Sequence, residues 1–80
     1  MSLTTGNQLR AARALIGQDQ TVTAELAGVD VNTIRSMEAS NAGPLKGRFE
    51  TVAKVQAALE KAGIEFLNSD APGVRLRGKT

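Results

Sequence analysis

A mainly α-helical fold of four to five helices with a short C-terminal β-hairpin or strand is what this sequence predicts, on three observations. Helical segments are separated by turn signals at Gly17, Gly28, the stretch 40–47 and Gly63. After Gly63 the apolar period changes from helical to alternating. Between Gln20 and Glu38, two short helices are joined by a tight turn containing Gly28. A chain of 80 residues has room for one domain with a small core. Residues 1–62 are read as its helical part and 63–80 as a strand extension of the same single domain.

Each element has a local reason. Thr5-Gly6-Asn7-Gln8 is a capping-box pattern, which starts a first helix running to about Ile16. Leu9, Ala12 and Ile16, with Leu15 beside them, form its buried stripe, and Gly17 ends it. A second helix follows Asp19 and stops at Gly28. A third, capped by Asp30, runs from Val31 to about Ala39. Ser40 to Gly47 contains Asn41, Gly43 and Pro44, too irregular to continue a helix. Phe49, Val52, Val55, Gln56 and Leu59 mark a fourth helix from Arg48 to Ala62, ended by Gly63. Ile64 and Phe66 around Glu65, then Val74 and Leu76 around Arg75, read as two strands. An isolated hairpin is marginal in water, so this pair must pack on the helices or against another copy.

Composition narrows the function classes. Histidine and cysteine are both absent, which removes disulfides, thiol chemistry, the usual zinc sites and the commonest general base. No nucleophile and base stand out among the remaining side chains, so an enzyme is not expected, nor a metal or cofactor. No apolar run approaches the ~20 residues of a membrane helix, and the N-terminus lacks a signal-peptide layout, so a cytoplasmic protein is expected. The net charge is only +2 and is spread evenly along the chain. Attraction to phosphate then depends on where the cations lie in space rather than on their number. With only two aromatic residues, Phe49 and Phe66, base stacking on an aromatic platform is implausible.

The stretch from Gln20 to Glu38 reads as a helix-turn-helix, which points to duplex DNA. Ala24 is small enough for close helix contact, Gly28 is free to adopt positive φ, Val29 plugs the corner, and Ile34 and Met37 face inward. In such a motif the second helix enters the major groove. The residues then facing base edges are Val31, Asn32, Arg35 and Ser36: Asn32 suits adenine, Arg35 guanine, and Val31 a thymine methyl. Val31 is expected to be an exposed apolar residue, because Ile34 and Met37 already account for the buried side. The plain alternative is an ordinary solvated helix face. Phosphate contacts are expected from Gln20 at the start of the second helix, from Lys46 and Arg48 flanking the fourth, and from Thr33 and Asn41.

From Thr5 to about Leu59 the chain resembles the lambda-repressor-like helix-turn-helix domain of the XRE family of bacterial and phage regulators. Leu9-Arg10, Arg13, Gly17, Gln20, Ala24, Gly28-Val29, Thr33-Ile34 and Glu38 carry the resemblance. The tail, A-G-I-E-F-L from Ala62 and P-G-V-R-L-R from Pro72, resembles small stand-alone alphaproteobacterial members. The resemblance implies a fold of five elements that dimerises on a pseudo-palindromic operator, with Gln20 on phosphate and Val31, Asn32, Arg35 and Ser36 at the bases. It also implies a partly buried ion pair between Arg13 and Glu38. Three positions depart from the pattern. Thr23 stands where Leu is usual, so Val22 or Leu26 must compensate. Asp19 replaces a neutral cap and would repel phosphate. Ser40-Asn41 replaces a Gly, although Asn tolerates the left-handed conformation.

The sequence is therefore read as a sequence-specific DNA-binding transcriptional repressor that acts on a double-stranded operator at the nucleoid. It is expected to be a homodimer joined through its C-terminal strands or fourth helix. The alternative is an antitoxin or adaptor that uses the same scaffold to bind a protein partner.

Overall fold

A computed structural model of the chain describes residues 2–45, 47–68 and 71–77. Among these residues the order is α1 (Gly6–Ile16), α2 (Gln20–Ala27), α3 (Val31–Glu38), α4 (Phe49–Lys61), β1 (Ile64–Leu67) and β2 (Gly73–Leu76). The fold is thus mainly helical, with four described helices and one antiparallel hairpin. In the hairpin Ile64 faces Leu76, Glu65 faces Arg75 and Phe66 faces Val74.

Side-chain caps start the first three helices and glycines end the first two. The Thr5 hydroxyl accepts from the Gln8 backbone N–H at 3.1 Å, and Gln8 Oε1 accepts from the Thr5 N–H at 3.1 Å. This closes the capping box, and Gln8 Nε2 goes on to donate to the Gly73 carbonyl at 3.1 Å, tying the start of α1 to β2. Asp19 accepts from the Val22 N–H at 2.8 Å and Asp30 from the Asn32 N–H at 2.7 Å, satisfying donors that each first turn leaves unpaired. Between α2 and α3, Gly28 sits at φ +73, where a Cβ would be strained, and the Val29 N–H returns to the Ala24 carbonyl at 3.0 Å.

One core joins α1, α2, α3, α4 and β1, and the partly buried Val74 of β2 packs against it. Leu9 and Ala12 of α1, Ala24 and Ala27 of α2, Ile34 and Met37 of α3, Val55 and Leu59 of α4, and Ile64 and Phe66 of β1 are buried together with Leu3. The hairpin packs on the helices, β2 against α1 and β1 against α4. Its outer face carries the exposed Glu65–Arg75 pair at 2.5 Å, a type of contact worth about 0–1 kcal/mol.

Several packing expectations are corrected here. Val22 and Leu26 do not make up for Thr23: they are 41% and 61% exposed, while Thr23 is fully buried. On the short α2 the inward stripe is Thr23, Ala24 and Ala27, so Val22 and Leu26, four residues apart, share the outward side. The Thr23 hydroxyl is satisfied by Gln18 Oε1 at 2.9 Å, so its burial leaves no polar group unpaired. Leu15 and Phe49 also lie outside the core, because Ala12 with Ile16 and Val55 with Leu59 already fill the inner faces of their helices.

The link after α3 is tied down rather than free. Asn41 takes a left-handed backbone at φ 51, its carbonyl accepts from the Asn7 N–H at 2.9 Å, and Ser40 Oγ accepts from the Gly6 N–H at 3.0 Å. The start of α1 is held so close to the end of α3 that a Cβ on Gly6 would lie 2.5 Å from the Met37 carbonyl and 2.7 Å from that of Glu38. Both neighbours are backbone and cannot rotate away. Gly6→Ala, which in an open helix would be favourable, is therefore expected to destabilise the fold by about 1–3 kcal/mol as an overpacking change. Chemical denaturation followed by circular dichroism measures this, and a stabilised variant would contradict the close approach.

Candidate nucleic-acid interface

The α3 helix separates its side chains cleanly. Ile34, Met37 and Glu38 are buried, while Asn32, Arg35 and Ser36 are exposed on the opposite side. Val31 is half-buried against the edge of the core, not exposed as the sequence suggested, because the first turn of α3 sits close behind the Gly28 corner. Arg35 Nη1 donates to Asn32 Oδ1 at 3.1 Å, so these two polar side chains form one unit.

A groove runs between α3 and the start of α4, lined by Asn32, Thr33, Ser36, Gly47, Arg48 and Thr51. It brings Thr33 and Arg48, both expected on phosphate, beside Asn32 and Ser36, both expected at bases. Arg48 is the N-cap residue of α4: its side chain makes no capping bond, and its carbonyl accepts from the Thr51 and Val52 N–H groups at 3.1 Å. Thr51 was not anticipated. Its signal in the sequence is faint: it follows Arg48 by three residues, which puts both on one side of α4.

Three other expected phosphate contacts stand differently. Lys46 lies outside the described residues. Asn41 lies beyond the far end of α3, where its Oδ1 accepts from Arg10 Nη2 at 3.4 Å and its Nδ2 donates to the Ala39 carbonyl at 3.2 Å. Gln20, half-buried at the start of α2, has both ends of its amide engaged. Its Nε2 donates to Glu38 Oε1 at 3.1 Å and its Oε1 accepts from Arg35 Nε at 3.4 Å.

Behind α3, Arg13 meets Glu38 through two parallel bonds, Nε to Oε2 at 2.5 Å and Nη2 to Oε1 at 2.9 Å. Arg13 Nη1 also donates to the Gln18 carbonyl at 3.0 Å, and Arg10 Nε stands 3.9 Å from Glu38 Oε1. Burial pushes the Glu38 carboxyl upward, but the hydrogen bonds from Arg13 and Gln20 and the charges of Arg13 and Arg10 outweigh it, leaving the group below its usual range. The hydrogen bond to Glu38 in turn raises Arg13, against burial and with help from the charges of Glu38 and Asp19. Among the described residues no buried side-chain polar atom lacks a partner.

Among the described residues no three His, Cys, Asp or Glu side chains converge as a metal site, and no helix is long and apolar enough to cross a membrane. Compared with known proteins, the chain matches no family model and no curated protein.

Proposed function

We propose that this protein is a sequence-specific DNA-binding regulator, a repressor that uses α2 and α3 as a helix-turn-helix of the lambda-repressor-like kind and lays α3 in the major groove of an operator. The observation that carries the reading is the outward face of α3. Asn32, Arg35 and Ser36 stand exposed on a short helix whose opposite side is fixed by Ile34, Met37 and Glu38, with the groove leading directly to Arg48. Such a face offers an amide for adenine and a guanidinium for guanine. The neighbouring Arg48, exposed where the groove meets α4, suits a phosphate. Asp19 caps Val22 and keeps its negative charge at the start of α2, so phosphate attraction has to come from the Arg48 side of the face.

A homodimer at the nucleoid completes the proposal, joined through the C-terminal strands or through α4, each copy reading one half of a pseudo-palindromic site. Selection from random duplexes followed by affinity measurement tests it. Asn32→Ala or Arg35→Ala is expected to cost about 1–3 kcal/mol and relax preference at one base position. Arg48→Ala is expected to weaken all sequences alike and lower the salt slope by about 1. An unchanged selected motif and affinity in Asn32→Ala would remove this docking of α3.

A second reading has its own support. Leu26 at 61% and Phe49 at 84% exposure are apolar surface that DNA does not need, and the net charge is small. An antitoxin or adaptor would use them for a protein partner. Weak, sequence-blind DNA binding together with a stable complex with another protein selects this alternative.

A further inference from the structure

We infer that Gln20 is a positioning residue for base recognition: from α2 it fixes which edge of the Arg35 guanidinium faces the DNA. The inference rests on the DNA-reading proposal above. It assigns Gln20 a role different from that of a phosphate contact.

The argument begins at the buried end. Glu38 is held by Arg13 through two bonds, so the position of its carboxylate is fixed. Gln20 presents its Nε2 to Glu38 Oε1 and its Oε1 to Arg35 Nε. The amide has only one workable orientation. Turned over, its carbonyl would face a carboxylate and its NH2 group a guanidinium, so both contacts would become repulsive. The buried ion pair therefore dictates where the Gln20 oxygen points, and that oxygen takes the single Nε–H of Arg35.

Arg35 has five N–H donors in a planar fork. Gln20 occupies the one on Nε, and Asn32 Oδ1 occupies one on Nη1. With Nε taken, the edge left for a two-bond contact is the terminal one, where one Nη1 hydrogen and one Nη2 hydrogen run parallel. That edge can donate in parallel to two acceptors, as guanine O6 and N7 require. Without Gln20 the Nε edge is released and only the Asn32 bond holds the fork, so the guanidinium can pivot about that one contact and its presentation is loosened. Specificity at the Arg35 base position is then set partly by a residue on the preceding helix.

Gln20→Met keeps the volume of the side chain, removes both of its hydrogen bonds and leaves the Arg13–Glu38 pair in place; Gln20→Ala serves as a second variant. In the free protein, the Arg35 Nε–H resonance is expected to shift and its exchange with solvent to quicken in both variants, while the Nε–H signals of Arg48 and Arg77 stay unchanged. On selected duplexes, discrimination at the base pair relaxed by Arg35→Ala is expected to fall by about tenfold. The salt slope should be unchanged, and combination with Arg35→Ala should produce little further loss. A uniform loss over all duplexes with a slope reduced by about 1, or an effect additive with Arg35→Ala, would overturn the inference in favour of a phosphate contact. An Arg35 signal indifferent to Gln20 would also overturn it. If the wild-type protein selects no sequence, the DNA reading itself fails, and the resonance data separate that failure from one of the hydrogen-bond chain.

Discussion

Arg13→Ala is expected to lower stability by about 3–5 kcal/mol, the cost of breaking a buried pair by removing one partner. For a domain of this size that is a fall in melting temperature of roughly 12 °C or more. Glu38 is only 4% exposed, and without Arg13 its carboxylate keeps one neutral donor, Gln20, and one cation, Arg10, at 3.9 Å. Arg10 is half exposed and already spends Nη2 on the Glu38 carbonyl at 2.9 Å, so it cannot replace a two-bond partner. The substitution also frees the Gln18 carbonyl that Arg13 holds next to the α2 cap. Because the penalty is an uncompensated charge and not a lost attraction, replacing both partners, as Arg13→Met with Glu38→Met, should recover much of it. Differential scanning calorimetry of the single and double variants decides the matter; a single-variant loss below about 1 kcal/mol would make the pair a surface contact.

The same pair fixes the sign of the acid response. Glu38 is held below the usual carboxylate range in the folded chain and returns to that range on unfolding. Its stabilisation is thus complete above the usual range and is lost as pH falls through the lowered native value. In Arg13→Ala the hydrogen bond and charge of Arg13 no longer hold the group down, so the variant loses less on acidification than the wild type does. Its deficit relative to wild type should narrow on acidification, not widen.

The parts of this fold legible in the sequence are those written over two to four residues. Thr5 with Gln8, Asp19 with Val22 and Asp30 with Asn32 are bonds between near neighbours, and the residue types alone announce them. The exposed side of α3 was legible by subtraction, since Ile34 and Met37 occupy the other side. What was not legible depends on partners brought in by the fold. Gln8 reaches Gly73, 65 positions away, and Gln20 reaches Arg35 and Glu38, 15 and 18 positions away. Nothing in local spacing distinguishes Gln20 aimed at a phosphate from Gln20 drawn inward by a carboxylate. The groove beside α3 has the same origin, because Thr51 belongs to a helix whose placement follows an irregular link. Leu15, Val22 and Leu26 lie outside the core for a related reason: apolar character states that a side chain can be buried, but neighbouring volume decides whether it is.

Phe66→Ala is expected to cost about 3–5 kcal/mol, whereas Phe49→Ala should change stability by less than about 0.5 kcal/mol. The chain has only these two aromatic residues, and the sequence gives each a place in an apolar pattern. The structure separates them: Phe66 is 2% exposed and Phe49 84%. Phe66 enters the core from β1, beside Ile64, and lies across the hairpin from Val74. Truncating it would leave a large cavity where β1 meets the helices, and the hairpin cannot relax into it while Gln8 holds Gly73 and the Arg77 N–H holds the Gly63 carbonyl. Phe49 at the first position of α4 touches little that its removal would disturb. Deleting β2 after Ala71 would uncover Phe66 as well, so such a truncation perturbs folding and oligomeric state together, and the paired substitutions are the cleaner probe. Urea unfolding of both variants tests this directly. Equal costs would mean that the hairpin is an appendage to the helices, and the single core joining α1 to β2 would have to be redrawn.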